Sequence, residues 1–411
     1  MTAQSQRRLG YLSGAPRVST ASDAELGGAR THILGTIQAF RNLGWQVHPF
    51  ILGDRVPHSW TAEGSERALS SSFQRRLAAD LLRLAIRPLG ALLAYRQLHG
   101  RVDWVYERSA AYQSLGSLFQ SKGVPWILEV NAPLFYESRV ERKSMTLGEL
   151  ARKLEIAAYQ RCDVVVTVSQ TLKEILLAEA GIPAQKVIVV PSATDPDFFD
   201  PSRFTPIRLF EGPTLVYVGW LVPWQGVAVL LRAMRKAGAE GAAWNLVIVG
   251  NGPSRNEWEA VVAELGLEHR VKFVGLVNRE DVPRYIAGAD LGYAGPTPLQ
   301  LGKMYHSPLK LYEYMAMAKP VLAASYNDGR NAVLLGKTGW LFESASETGL
   351  AESLIHAFRA RDRLGRMGQE ARQEVLVNHT WTSRVNKLIA SVEEILTRGS
   401  MLGEIGDPNR G

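Results

Sequence analysis

The chain has 411 residues, of which 46% are hydrophobic and 21% charged, so it is long enough for two globular domains that each bury a core. Its formal net charge of +7 favours an acidic partner such as a nucleotide-sugar, a phospholipid surface or a nucleic acid, and the lack of a nucleic-acid motif disfavours the last. Cys162 is the only cysteine, which excludes an intrachain disulfide. The eight histidines lack metal-ligand spacing, which argues against a metal site. No run of about 20 apolar residues is present, which argues against a transmembrane helix.

Strand and helix patterns alternate along the first half of the chain. The predicted strands are 8–13, 46–52, 103–107, 125–130, 164–168 and 187–190. The predicted helices are 27–42, 71–98 with a break at Pro88, 147–160 and 171–180. Strands separated by helices are typical of a parallel sheet that is covered on both faces.

The second half repeats this alternation. Its predicted strands are 214–218, 244–249, 271–274, 291–293 and 320–324, and its predicted helices are 227–237, 255–265, 279–287 and 308–318. The turn-rich segment 201–212 is the expected linker. We therefore predict domains at 1–204 and 205–380, a crossover helix at 381–398 and a disordered tail at 399–411.

The most informative stretch is S-P-L-K-L-Y-E at residues 307–313. Ser307 suits a helix N-cap and Pro308 the first helical position. Lys310 then falls in the first turn, where a cation and unpaired N–H groups attract a diphosphate, and Glu313 on the same face can accept hydrogen bonds from ribose. The alternative is an ordinary capped helix that packs on a sheet.

This string resembles the donor-site motif of retaining glycosyltransferase family 4, which has the GT-B fold. The resemblance implies two Rossmann-like domains that face each other across a cleft, with the C-terminal helix crossing back to the first domain. It implies that Lys310 meets the diphosphate and that Glu313 holds the ribose, with Asn131 as a third catalytic candidate. Many members carry an acid eight positions before that Glu, where this chain has Tyr305.

Glycine-rich segments resemble other parts of the donor site. V-G-W-L-V-P-W-Q-G at 218–226 is similar to the loop after the first strand of the second domain, although Gln225 stands where a Lys is usual. V-G-N-G at 249–252 is similar to the strand end near the nucleobase, and Gly27-Gly28 to the pair facing the donor. The predicted donor-binding residues are Gly27, Gly28, Gly219, Gln225, Gly226, Gly250, Gly252, Ser307, Pro308 and Leu309.

Asp195-Pro-Asp197 has the spacing of a D-x-D metal motif, but Asp and Pro also favour a turn, and we favour the turn. The preceding residues Ser192 and Ala193 depart from the family pattern P-N-G-V-D. We predict no metal site and no cofactor.

Two strand ends in the first half supply acceptor-side candidates, because ligands bind at the carboxyl ends of strands in open α/β sheets. They are Glu107 and Arg108 after one strand and Glu129 after the next, beside Asn131, which stands where many family members have a His. The alternative is that these side chains cap loops and pair with each other.

Residues 73–96 interleave arginines with leucines, which suggests a helix lying on an anionic membrane with arginine outward and leucine inward. The alternative, which we favour, is a core-facing helix with a solvated basic face. The five arginines are Arg75, Arg76, Arg83, Arg87 and Arg96.

The resemblance to family 4 implies a metal-independent, retaining glycosyltransferase that uses a nucleotide-diphosphate-sugar and a glycan or lipid-linked acceptor in bacterial surface polysaccharide or glycolipid synthesis. The N-terminal sequence lacks the apolar core of a signal peptide, so we expect a cytoplasmic protein. Peripheral attachment to the inner face of the cell membrane through 73–96 is a further hypothesis. A sugar-nucleotide epimerase of the same fold and an inactive GT-B subunit that binds nucleotide or a partner are the alternatives, the latter because Tyr305, Gln225 and Asn131 replace commonly functional residues.

Overall fold

The computed structural model describes residues 6–22, 27–57 and 72–405, with side chains through residue 398. The chain divides into two compact units, of which the first comprises Met1–Pro191 and Trp381–Gly411 and the second Ser192–Thr380. The boundary that the sequence suggests after residue 204 falls inside the second unit of this division. Each unit is built on one six-stranded parallel sheet. The alternation of strands and helices predicts the parallel sheets, but the strand Gly339–Phe342 of the second sheet was not predicted.

The first unit contains the strands β1 (Arg8–Ser13), β2 (Gln46–Ile51), β3 (Trp104–Arg108), β4 (Trp126–Val130), β5 (Val164–Thr167) and β6 (Val187–Val189). Their order across the sheet is β2-β1-β3-β4-β5-β6. The direction of chain progression therefore reverses between β1 and β3. The carboxyl ends of strands at such a reversal form a crevice.

The helices of the first unit are α1 (Gly28–Asn42), α2 (Phe73–Leu98), α3 (Ser117–Gln120), α4 (Leu134–Tyr136), α5 (Gly148–Arg161) and α6 (Gln170–Ala180). Most of the strand residues that they cover are buried, as the run Val164–Thr167 shows. Both faces of the sheet are thus removed from water, which explains why its strands are continuous apolar runs rather than alternating ones.

The second unit contains the strands β7 (Thr214–Val218), β8 (Asn245–Val249), β9 (Val271–Gly275), β10 (Leu291–Ala294), β11 (Val321–Ala324) and β12 (Gly339–Phe342). Their order is β12-β11-β10-β7-β8-β9, so the reversal lies between β7 and β10. The helices are α7 (Val227–Ala239), α8 (Arg255–Glu264), α9 (Val282–Gly288), α10 (Leu309–Ala316), α11 (Asn327–Ala332), α12 (Glu347–Arg359) and α13 (Leu364–Asn378).

Helix α2 corrects the predicted break at Pro88. The helix runs unbroken from Phe73 to Leu98 with Pro88 inside it. A proline within a helix removes one backbone hydrogen bond, and packing must offset that cost. Asp80 before Pro88 and Gly90, Ala94 and Leu98 after it are buried, so tertiary contact on both sides of Pro88 holds the helix together.

The last helix, α14 (Trp381–Ile405), belongs to the first unit. It packs on α1, where the Trp381 ring lies 4.8 Å from the His32 ring and so close to Gly35 that a Cβ there would be 2.5 Å from the indole. Residues 399–405 continue the helix where the sequence predicts a disordered tail. Residues 406–411 lie outside the described residues.

Candidate donor site

The reversal between β7 and β10 places two loops side by side in the second unit. The loop after β7 ends in the turn Pro223–Gln225, and the backbone N–H of Thr297, after β10, donates to Trp224 O at 2.8 Å. The Tyr293 hydroxyl donates to Gly226 O, also at 2.8 Å. The fold therefore fixes the predicted glycine-rich loop against the segment that leads into α10.

Two predicted glycines allow these loops to touch. Gly226 has a φ of +70° and a Cβ there would lie 2.0 Å from Gly295 O. Gly250 has a φ of +129° and a Cβ there would lie 2.0 Å from Gly219 O. A side chain at either position would meet backbone in a conformation that only glycine adopts readily. At Gly252 a Cβ would lie 2.3 Å from Leu221 O, so close backbone contact excludes a side chain there.

Lys310 extends from the first turn of α10 to the loop after β7. Its Nζ donates to Gln225 Oε1 at 2.7 Å and lies 4.0 Å from the centroid of the Tyr217 ring. Gly219 lies beside the same Nζ and has a φ of +142°, a backbone conformation that favours glycine at this loop position. Burial lowers the pKa of Lys310 to about 7, and the nearby charge of Glu313 opposes that shift. The structure thus brings together Lys310, Gln225 and Gly219 as predicted neighbours.

Glu313 lies one turn further along α10 and is partly buried. Burial raises its pKa to about 7, while the charges of Lys310 and Arg279 act in the opposite direction. Among the described residues its carboxylate has no hydrogen-bond partner. A buried carboxylate without a partner is costly unless a ligand supplies hydrogen bonds. Arg279, from the turn after β9, was not predicted, since it is distant in sequence and belongs to no recognised motif.

The start of α10 differs from the sequence prediction in one residue. The N-cap is Pro308, in extended conformation and without a side-chain cap, so Ser307 is not the N-cap. The Ser307 hydroxyl is instead engaged by its neighbours, since its oxygen accepts the Ser192 N–H at 2.8 Å and it donates to Asp328 Oδ2. The N–H groups of the first turn, which include that of Leu309, are therefore left without a side-chain cap.

A cavity adjoins this helix start, and His306, Pro308, Asn327 and Asp328 are among its lining residues. Tyr305, at the position where related motifs carry an acid, is fully buried. Asp328 is the carboxylate that α11 brings to Ser307 across 21 positions of sequence. No local pattern would have indicated it, because only the packing of α11 beside α10 makes the two residues neighbours.

Asp195 forms a turn of the kind predicted. Its Oδ1 accepts the backbone N–H groups of Asp197 at 3.0 Å and Phe198 at 3.2 Å. In the parts of the chain that the structure describes, no group of three or more His, Cys, Asp or Glu side chains is arranged to hold a metal ion.

The acceptor-side candidates lie in the first unit, at the carboxyl edge of its sheet. Glu107 is fully buried and its two oxygens accept the backbone N–H groups of Leu115 and Gly116, both at 2.8 Å, which is the loop-capping alternative. Burial raises its pKa to about 7. Arg108 is only partly buried, and its Nε has no partner among the described residues.

The other candidates pair with each other. Asn131 Nδ2 donates to Glu129 Oε1 at 2.5 Å. Gly27 and Gly28 are exposed at the start of α1, where a Cβ on Gly27 would meet no atom of the described residues within 4 Å.

Two family models match the chain. Glycosyltransferase Family 4 matches residues 26–198, and Glycosyl transferases group 1 matches residues 205–374. This chain belongs to the family 4 glycosyltransferases. Solved structures show the same fold: the sucrose-phosphate synthase of Thermosynechococcus elongatus has a TM-score of 0.68 at 18% identity and covers 95% of this chain and 100% of its own. Anabaena HepE in complex with UDP has a TM-score of 0.64 at 16% identity, covering 94% and 100%.

Curated relatives of this family 4 chain act on several substrates. A GDP-mannose-dependent alpha-(1-6)-phosphatidylinositol monomannoside mannosyltransferase of Mycobacterium tuberculosis is 30% identical over 236 residues, which is 55% of this chain and 60% of the relative. The 2-deoxystreptamine glucosyltransferase of Streptomyces kanamyceticus is 26% identical over 41% of this chain and 46% of its own. The match thus spans about half the length of these relatives.

Proposed function

We propose that this chain transfers a sugar from a nucleotide-diphosphate-sugar to an acceptor hydroxyl, with retention of anomeric configuration and without a metal ion. The observation that carries the proposal is the partnerless carboxylate of Glu313 one turn after Lys310. An ionised carboxylate suits ribose hydroxyls, and a cation at an uncapped helix start suits a diphosphate.

The chemistry of this pair is electrostatic. As the bond between the anomeric carbon and the phosphate oxygen breaks, negative charge accumulates on the diphosphate. Lys310 and the first-turn N–H groups of α10 stabilise that charge in place of a metal. The acceptor hydroxyl attacks from the face that the diphosphate leaves, and its proton passes to a phosphate oxygen. Retention follows from that same-face attack.

For the acceptor we propose a glycan or lipid-linked glycan of bacterial surface polysaccharide or glycolipid synthesis, used at the cytoplasmic side of the cell membrane. Support comes from the relatives, one of which is named for a phosphatidylinositol mannoside and another, in Escherichia coli, as a putative colanic acid glycosyltransferase. No helix among the described residues is long and apolar enough to cross a membrane.

We propose that α2 provides peripheral attachment to an anionic membrane, with the side-chain orientation opposite to the predicted one. Leu81, Leu89 and Leu93 are 54%, 61% and 51% exposed, and with Leu82 and Leu92 they form one face of the helix. The expectation of outward arginines is wrong for Arg83 and Arg87, which are partly buried and contact the protein.

Arg83 and Arg87 face the protein rather than solvent because each contacts a buried polar group. Arg83 pairs with the fully buried Asp80 at 2.9 Å, and Arg87 donates to Ser114 Oγ at 2.9 Å. Arg75 and Arg96 remain exposed towards the two ends of the leucine face. An apolar face flanked by cations is the arrangement that inserts into an anionic interface.

The first experiment is a thermal-shift panel of UDP, GDP, ADP, CDP and dTDP, because a ligand that binds only the folded state raises the melting temperature. The nucleotide-sugars of the stabilising base are then incubated with and without bacterial lipid extract. We expect a glycosylated product and released nucleoside diphosphate only when extract is present. NMR of that product should show that the donor's anomeric configuration is retained. Conversion of the sugar without extract would identify an epimerase, and binding without turnover an inactive subunit.

A further inference from the structure

The first unit contains a buried carboxylate that the donor-site chemistry does not use. Glu129 Oε1 is 2.7 Å from His32 Nε2, and its Oε2 accepts the Tyr106 hydroxyl at 2.7 Å. Burial alone would raise the pKa of Glu129, but the contacts with His32 and Tyr106 and the charge of Arg108 outweigh it and lower the pKa to about 2. Glu129 is therefore an ionised hydrogen-bond acceptor across the physiological pH range.

This carboxylate fixes the orientation of the Asn131 amide. An ionised carboxylate can only accept, so it must be faced by the NH₂ group of Asn131, as the 2.5 Å contact between Nδ2 and Glu129 Oε1 shows. The opposite atom, Oδ1, then points away from Glu129. Asn131 is partly exposed just after β4, and no residue that the structure describes donates to its Oδ1.

We propose that Glu129 is a positioning residue that presents Asn131 Oδ1 as a hydrogen-bond acceptor for a sugar hydroxyl. The inference rests on the proposed transferase function and deepens it, because it states which polarity the substrate group must have. The group must donate, so a hydroxyl fits and a carboxylate or phosphate oxygen does not. His32 and Tyr106 act through Glu129, since their hydrogen bonds hold the carboxylate in place.

The test compares variants that keep and remove this orientation. In Glu129→Gln the side-chain oxygen still accepts from Asn131 while the NH₂ donates to the Tyr106 hydroxyl, so transfer should remain within about threefold of wild type. Glu129→Met and Asn131→Ala should each lower the kcat/KM of transfer at least about tenfold, the range expected for one lost hydrogen bond. The double variant should be no worse than Asn131→Ala alone.

Hydrolysis of the nucleotide-sugar without acceptor identifies the source of the hydroxyl. If the hydroxyl belongs to the donor sugar, Asn131→Ala lowers hydrolysis and transfer alike. If it belongs to the acceptor, only transfer falls. Either result supports the proposal.

Two results would overturn the proposal. The first is unchanged transfer in Asn131→Ala. The second is that Glu129→Met lowers transfer by the same factor in the Asn131→Ala background as in wild type. The second result would show that Glu129 acts on stability alone. Should Glu129→Met fail to fold, Asn131→Ala alone still decides. The thermal shift with nucleoside diphosphate, measured on each variant, reports the donor site separately, so a wild type without that shift contradicts the proposed function rather than this inference.

Discussion

At the scale of single residues, Lys310 is a partly buried cation without an anionic hydrogen-bond partner among the described residues. Its ammonium lies over the Tyr217 ring and donates to Gln225, and neither contact neutralises its charge. Burial keeps its pKa near 7, so the free protein holds this cation only partly protonated at neutral pH. A bound diphosphate would stabilise the protonated form, which couples nucleotide binding to proton uptake.

Replacing Lys310 should slow the chemical step. Lys310→Met keeps the length of the side chain and removes the charge that stabilises the leaving diphosphate, so kcat should fall roughly a hundredfold, or about 3 kcal/mol in the barrier. Steady-state kinetics of sugar transfer measure this. Lys337→Met, an exposed lysine of the same unit that pairs with Glu370, is the matched control. Equal kcat values for the two variants would place the leaving-group contact elsewhere.

The affinity for nucleoside diphosphate should fall as pH rises from 8 to 9.5. Glu313, with a pKa of about 7, is already ionised there, so its titration no longer contributes. Lys310 is then mostly neutral in the free protein and must take up a proton on binding, which weakens binding up to about tenfold per pH unit. Calorimetric titrations should show this slope for wild type and a flat profile for Lys310→Arg, whose guanidinium stays charged. An equal slope in both proteins contradicts the coupling.

Local sequence was sufficient to predict the residues of one helix and insufficient for the residues that meet it. Lys310 and Glu313 follow from helical spacing, and the glycines follow from their loops. Arg279 and Asp328 do not, because they reach α10 from β9 and α11 through packing that no local pattern encodes. The prediction that Ser307 caps the helix is wrong for the same reason, because its hydroxyl is hydrogen-bonded to Asp328 and Ser192 instead.

At the scale of elements, α2 shows how tertiary contacts override a local rule. Composition predicted a helix rich in Arg and Leu, but the direction of each face depends on the buried partners Asp80 and Ser114. The leucine face is therefore the one to test for membrane attachment.

Vesicles of phosphatidylglycerol and phosphatidylcholine should bind the wild type. A variant with Leu81, Leu89 and Leu93 changed to Gln should bind much less, because each leucine contributes apolar burial in the interface. Co-sedimentation measures this. Changing Arg75 and Arg96 to Gln should weaken binding mainly at low salt, where the attraction is unscreened. Binding that is lost with the arginines yet unaffected by the leucine variant would contradict the apolar face.

At the scale of the whole molecule, the alternation of strands and helices was sufficient to predict two parallel sheets. It could not give the strand order, which depends on the directions of crossovers between distant segments. That order matters most for the site, since the reversal between β7 and β10 is what brings the glycine-rich loop to α10.

Sugar transfer should proceed in the presence of EDTA, because Lys310 and the uncapped helix start carry the leaving charge in this proposal. The measurement is the initial rate of sugar transfer with and without about 5 mM EDTA, an excess over trace metal. Mn²⁺ or Mg²⁺ is then added and the rate is measured again. The rate should stay within about twofold. A complete loss that Mn²⁺ restores would show that a metal ion is required after all.

The assignment of Trp381–Ile405 to the first unit has a consequence for biosynthesis. The ribosome synthesises the whole of 192–380 before it makes the helix that covers α1, so the first unit is the last to receive all of its residues. The surface around His32 and Gly35, which Trp381 later covers, stays open to chaperones and proteases throughout that interval. Nascent chains stalled after residue 380 should accordingly be cleaved in the N-terminal 191 residues, and release of the remaining residues should end that sensitivity.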